Sequence, residues 1–207
     1  MENVNIVIVL SAALIGGLSP GPGTVAIAGT AMARGRSMGL AVAWGITSAS
    51  TIWAVAAALG FGALLQANAT LFELLKYIGI GYLTWLAWRS ARSALSDKAI
   101  VPVDVGASRL LAAWLKGLGT HLTNPKAVIY WGSILAIGVK PGGGTEAVAW
   151  VLVLSLLVNV TLTTSYALIL SSQAAMAVYG KARRWIEAAA AAVFGAGAFL
   201  LFRTREI

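Results

Sequence analysis

The chain has 207 residues, of which 59% are hydrophobic and only 11% charged, and a soluble domain of this size could not hide so much apolar surface, so its solvent must be lipid. Cysteine is absent, which excludes disulfide frameworks, thiolate metal sites and cysteine nucleophiles. A net charge of +8 does not point to nucleic acid, because the basic residues gather at the ends of apolar runs and nowhere form a stripe.

The start, Met1-Glu2-Asn3-Val4, lacks the positive segment of a cleaved signal, so the first apolar stretch is expected to be retained as a span. Hydropathy and punctuation predict spans near residues 4–33, 38–65, 72–94, 109–139, 146–173 and 182–202. Runs such as 37–66 and 147–172 exceed the roughly 20 residues that a membrane helix needs. Two of the six are interrupted: the first by Pro20-Gly21-Pro22, the fourth by Asn124-Pro125-Lys126. The stretch from Ser96 to Ser108, with Asp97, Lys98, Pro102, Asp104 and Gly106, is the longest polar one and reads as a joint. It divides the chain into a three-helix unit over 1–95, a connecting loop over 96–108 and a second three-helix unit over 109–207. Lys140-Pro141-Gly142-Gly143-Gly144 reads as a turn, too short for a phosphate-binding loop.

Of the fifteen basic residues, ten (Arg34, Arg36, Arg89, Arg92, Lys98, Arg109, Lys116, Lys181, Arg183 and Arg184) fall on one side of these spans. Lys76, Lys140, Arg203 and Arg205 fall on the other, and Lys126 is left inside a span. The positive-inside bias makes the ten-residue side cytoplasmic and sends both termini outward. Trp88, Trp114, Trp150 and Trp185 sit near expected span ends, where either interfacial anchoring or simple packing accounts for them.

An internal echo links the halves. Leu18-Ser19-Pro20-Gly21-Pro22 answers to Leu122-Thr123-Asn124-Pro125-Lys126, Ala41-Val42-Ala43-Trp44 to Ala147-Val148-Ala149-Trp150, and Gly79-Ile80-Gly81 with Arg89 to Gly195-Ala196-Gly197 with Arg203. Three spans per half is an odd number, so the second half must enter the membrane from the opposite side. The expected fold is an all-α membrane protein of six transmembrane helices, built as two inverted-topology three-helix repeats with broken first and fourth helices.

The chemistry is expected at the breaks. Proline is tolerated at the first position of a helix, where its missing donor costs nothing, so each break ends one half-helix and starts another. Asn124 reads as a cap before Pro125; Ser19-Pro20 and Gly21-Pro22 admit the same reading. A helix start carries unpaired N–H groups and about half a positive charge, which attract anions. Inverted symmetry would bring Pro20, Gly21, Pro22 and Gly23 toward Asn124, Pro125 and Lys126 near the midplane, as a substrate-binding, carboxylate-sized site. A charged lysine at that depth costs about 2.5 to 3.5 kcal/mol unless compensated. Lys116, eight residues before Asn124, can snorkel about 12 Å to the interface, whereas Lys126 cannot. The plainer alternative is that the prolines kink packed helices and Lys126 bonds the carbonyls they free.

Other polar residues in the spans are mild. Ser50, Thr51, His121 and Asn159 are accessory candidates, with Asn159 the best placed, although most such hydroxyls satisfy local backbone. His121 either titrates during transport or is a neutral ring bonded to a backbone carbonyl. Glu187, four residues after Arg183 and three after Arg184, is expected in a helix-end ion pair, so no carboxylate is expected deep in any span. Asn68-Ala69-Thr70 fits a glycosylation acceptor and carries no weight. No metal site, cofactor or catalytic group is read here, and an embedded enzyme is disfavoured because Lys126 with a nearby serine is the one nucleophile pairing available. A scaffold subunit is the remaining non-transport reading; it would need neither the matched breaks nor a midplane lysine.

These residues resemble the LysE/RhtB family of bacterial amino-acid exporters. The likeness runs through Ser19-Pro20-Gly21-Pro22, Arg34-Gly35-Arg36, Gly39-Leu40, Gly79 to Leu83 and Asn124-Pro125-Lys126-Ala127. It implies a bacterial inner-membrane, multi-pass exporter of amino acids, not an enzyme, driven by the proton gradient or the membrane potential, with a homodimer as one allowed assembly. Members often carry Asn, Gln or Asp where this chain has Gly23, and many carry an aspartate at the position of Ser50. Proton coupling through that aspartate does not carry over. Lys126 and two helix starts favour a carboxylate, and without an acidic partner for a cationic side chain the expected substrate is a neutral amino acid. Basic amino acids, or another small charged metabolite, are the alternative.

Overall fold

The computed structural model describes residues 2–67, 69–96, 99–140 and 142–203; of 61–76, 78, 129 and 201 it describes the backbone alone. Asn68, Asp97, Lys98, Pro141 and Arg205 lie outside the described residues, as does the side chain of Lys76. The described residues form eight α-helices: α1 (Ile6–Leu18), α2 (Pro22–Arg34), α3 (Arg36–Ala67), α4 (Ala69–Ala94), α5 (Leu110–Leu122), α6 (Pro125–Gly138), α7 (Thr145–Ile169) and α8 (Gln173–Arg203). Among them there is no strand beyond an isolated bridge between Val4 and Val139. Arg36–Gly60 and Thr145–Ile169 are each long and apolar enough to cross a membrane, and α1 with α2 qualifies as one span bent by 54°.

Proline chemistry sets both interruptions. Pro20 forces Ser19 out of the helical region, to φ −61° and ψ 122°, so α1 stops there. Gly21 is extended and Pro22 opens α2 at its first position. At the second break Asn124 takes φ −83° and ψ 108° ahead of Pro125, which likewise opens α6. Both expected breaks are therefore present.

α3 lies along α5 and α4 along α8, while α7 touches both α3 and α1. The core is filled by Val9, Ile27, Val42, Trp131, Ile134, Leu135 and Val151, all almost fully buried. The α3–α5 crossing depends on glycine. A Cβ on Gly45 would collide with the carbonyl oxygen of Trp114, and one on Gly117 with that of Val42, so two backbones meet where only hydrogen fits. Gly117→Leu is expected to lower stability by at least about 1 to 3 kcal/mol, the usual cost of overpacking, because the obstacle is backbone and cannot rotate away. Thermal unfolding in detergent measures it, with Gly119→Leu as the control, since a Cβ at Gly119 meets nothing within 4 Å.

Five of the basic residues that the sequence assigns to one side are tied to helix ends or to the segment between α4 and α5. Arg34 Nε donates to both carboxylate oxygens of Asp104 at 2.9 and 2.7 Å, and Arg36 Nε to Ser171 Oγ at 3.1 Å. Lys116 reaches the Val105 carbonyl, Arg183 reaches Ser93 and Arg184 the Ala94 carbonyl. The segment between α4 and α5 is strapped onto α2: Val103 N donates to Val25 O at 3.0 Å and Val105 N to Thr30 Oγ1 at 3.2 Å. Asp104 holds its carboxyl below the usual range because the Gly106 amide donates to it, with Arg34 adding to the effect. The chain start meets the α6–α7 turn, with Asn5 N donating to Gly138 O and Lys140 N to Asn3 O, both at 2.9 Å.

Candidate functional site

Ending α1 in mid-protein leaves carbonyls without helical partners, and three side chains from distant elements meet them. Lys126 Nζ of α6 donates to Gly16 O at 3.4 Å, Tyr166 OH of α7 to Gly17 O at 2.9 Å, and Tyr179 OH of α8 to Leu18 O at 2.8 Å. The ammonium thus does what the plainer reading assigned to it, and it sits at the negative end of a helix dipole. Lys126 Nζ also donates to Ser19 Oγ at 3.3 Å, and Ser19 Oγ donates to Glu187 Oε1 at 3.2 Å.

Glu187 corrects an expectation. Its side chain is 4% exposed, on α8, and turns toward the first break, so a carboxylate does lie deep among the helices. Arg183 and Arg184 instead reach the end of α4 at Ser93 and Ala94. Sequence spacing concealed this, because an acid one turn from an arginine explains itself locally. The available signal was that Glu187 is the one acidic residue within the expected span 182–202.

The two helix starts differ. At α6 the Asn124 side chain accepts from Lys126 N at 3.0 Å and its carbonyl accepts from Ala127 N at 2.9 Å, so that start is closed by its own cap. At α2 no side chain caps the helix, and the first helical bond is Val25 N to Gly21 O at 3.2 Å. The N–H groups of Gly23 and Thr24 are left without a partner among the described residues. The amides of Gly23 and Thr24 are thus open at the first break, whereas the Asn124 cap takes up those of Lys126 and Ala127 at the second; the sequence suggested two alike starts.

A cavity of about 110 Å³ lies between the breaks. Ser19, Gly21 and Gly23 line it from one side and Asn124 and Lys126 from the other, with Ser50, His121 and Asn159 completing the wall. Pro20, Pro22 and Pro125 do not line it; they shape the breaks that do. Thr51 also stays out, bonding back to Thr47 O at 3.0 Å. Ser50, fully buried, pairs with His121 Nε2 at 2.9 Å, so the histidine meets a hydroxyl and not a backbone carbonyl. Asn159 Oδ1 is buried and accepts no hydrogen bond among the described residues. Thr24, Tyr130, Ser155, Thr163 and Tyr166, none of them a candidate from sequence, line the same space; Thr163 bonds Thr47 across α7 and α3 at 3.1 Å. A second cavity, of about 170 Å³ between α1, α4, α6 and α8, is walled almost wholly by aliphatic and aromatic groups and lacks converging polar ones. Among the described residues no cluster of side chains could hold a metal ion.

The chain is 31% identical to the threonine efflux protein of Escherichia coli K12 over 179 residues, covering 86% of this chain and 87% of that one. It is 29% identical to the cysteine/O-acetylserine efflux protein of Salmonella paratyphi A, covering 70% and 69%, and 28% identical to the leucine efflux protein of Klebsiella pneumoniae, covering 64% and 62%. No solved structure matches it. The match to the LysE type translocator description extends over residues 14–205, taking in both breaks and the helices between them, and the chain belongs to that family of membrane transport proteins.

Proposed function

We propose that this chain exports neutral amino acids across the bacterial inner membrane, by alternating access around the cavity between the two helix breaks. The observation that carries this reading is that cavity, where Ser19, Gly21 and Gly23 face Asn124 and Lys126. The substrate carboxylate is assigned to the free N–H groups of Gly23 and Thr24 at the positive end of α2. The substrate amine is assigned to Asn159 Oδ1, the buried acceptor left open.

Charge balance argues for a neutral side chain. Lys126 and Glu187 offset one another through Ser19, so the site adds no net charge and suits a zwitterion. The relatives named above are efflux proteins for threonine, cysteine or O-acetylserine, and leucine, none with a charged side chain. The wider architecture belongs to the same proposal: six crossings in two inverted repeats, residues 1–95 and 109–207 joined by 96–108, both termini outside, the proton gradient or membrane potential as the drive, and a homodimer as one allowed assembly. It is supported by α3 lying against α5 while α7 lies against α1, the exchange that a two-fold axis in the membrane plane would produce. Counterflow into proteoliposomes loaded with a panel of amino acids tests the reading. Threonine, serine or leucine should exchange; faster exchange of lysine or arginine than of any neutral amino acid overturns it.

A further inference from the structure

We propose that Glu187, joined to Lys126 through the Ser19 hydroxyl, is the carboxylate that carries the coupled proton in the transport cycle. The inference rests on the transport reading above and adds to it the residue that links flux to a proton. Of the acidic side chains among the described residues, Glu2, Asp104 and Glu146 lie at the ends of the molecule, and Glu187 alone is buried. It does not line the cavity, yet one hydroxyl separates it from an ammonium that does. A charge change at Glu187 therefore acts on the substrate site without the substrate touching it.

Proton bookkeeping closes without a co-reactant. The carboxylate takes up one H⁺ from one side of the membrane and becomes a neutral acid. Lys126 then loses its counter-charge, and its ammonium, held only by Gly16 O and Ser19 Oγ, makes the site net positive and repels the substrate amine, so the zwitterion leaves to that same side. When the acid releases H⁺ to the other side, the pair reforms through Ser19 and the neutral site takes up the next zwitterion from there, so proton and substrate move in opposite directions.

The titratable and charged groups around the pair come from the first break and from α4 to α8, among them Tyr166 of α7, which bonds Gly17 O and packs on Tyr179. From the first break comes Ser19; from α6, Lys126; from α4, Tyr82, whose hydroxyl donates to Lys126 O, and Arg89, whose charge reaches Lys126. On α8 itself stand Tyr179, bonded to Leu18 O, and Arg183 and Arg184, which reach Ser93 and Ala94. His121, beyond Lys126, is bonded to Ser50. Arg183 is one turn from Glu187 and bonds at the end of α4, so the carboxylate lies within a turn of the basic face. That gives the proton a short way out.

Glu187→Gln mimics the protonated state. In proteoliposomes carrying an internal pH dye, the wild type should show both counterflow of a neutral amino acid and proton movement driven by that amino acid. The glutamine variant, fixed in the neutral state that expels substrate, should exchange the amino acid only with a raised KM and lose the proton movement. Proton movement at the wild-type ratio to substrate in Glu187→Gln overturns the inference. Where Glu187→Gln loses counterflow as well, Glu187→Asp decides: exchange and proton movement restored together uphold the proposal, while exchange restored without proton movement, or exchange absent in a folded protein, overturns it. Absence of counterflow in the wild type would instead sink the transport reading, so the two failures are told apart.

Discussion

Lys126→Ala is expected to abolish transport and to destabilise the protein at once, and the second effect hides the first unless it is removed. The ammonium bonds Gly16 O and Ser19 Oγ, and through Ser19 it offsets Glu187. Deleting one partner of a buried contact ion pair costs about 3 to 5 kcal/mol, because the surviving charge is left in a medium that solvates it poorly, and for charges bridged by the Ser19 hydroxyl the cost is expected at or below the lower end of that range. A single variant therefore confuses lost function with lost fold. Lys126→Met with Glu187→Gln removes both charges and keeps their volume, a change that is often neutral or stabilising for buried pairs. Thermal unfolding in detergent should recover most of the loss in the double variant. Counterflow should stay reduced by on the order of tenfold or more, equivalent to at least about 1.4 kcal/mol of lost substrate interaction. Wild-type counterflow in the double variant would mean that the ammonium serves only the α1 carbonyls, as the plainer reading of the break holds.

Local chemistry was legible in the sequence and tertiary pairing was not. Pro20, Pro22 and Pro125 announced both interruptions because a ring in place of an N–H acts on its own turn wherever the chain is packed. Asn124 announced its cap, and the bond from Lys126 N to its side chain is that cap. Lys126 was marked by depth alone. Glu187 was not legible: its hydrogen bond to Ser19 spans 168 residues, and Arg183 four places earlier offered a sufficient local partner. Tyr166 and Tyr179 were overlooked for the same reason, since which freed carbonyl a hydroxyl meets is decided by how α7 and α8 pack against the end of α1. Free amides were expected at both helix starts. Asn124 closes one of them, while Gly21, with no side chain, leaves the other open.

That difference supplies the sharpest test of where the substrate binds. Gly21→Asp is expected to leave the fold intact and eliminate transport. Gly21 has φ −143° and ψ −179°, extended backbone that any residue adopts, and a Cβ built on it meets nothing within 4 Å. An aspartate at this N-cap position can accept from Gly23 or Thr24 N–H and sits against the positive end of α2. The gain over glycine is a few tenths of a kcal/mol from capping and about 0.3 to 1 kcal/mol from the dipole, opposed by the cost of bringing a charge into the cavity, so the unfolding temperature should change little. Flux should nonetheless fall by orders of magnitude, because the new carboxylate takes the amides assigned to the substrate and repels the carboxylate that approaches them. Gly21→Ala adds the same Cβ without an acceptor and should transport nearly as the wild type does. Gly21→Ser, a neutral cap, should fall between the two, with weaker apparent affinity and little change in maximal rate. Because the three variants differ in what they offer two N–H groups and hardly at all in bulk, that ordering separates occupation of the α2 start from obstruction of the cavity; equal losses in all three would place the carboxylate elsewhere.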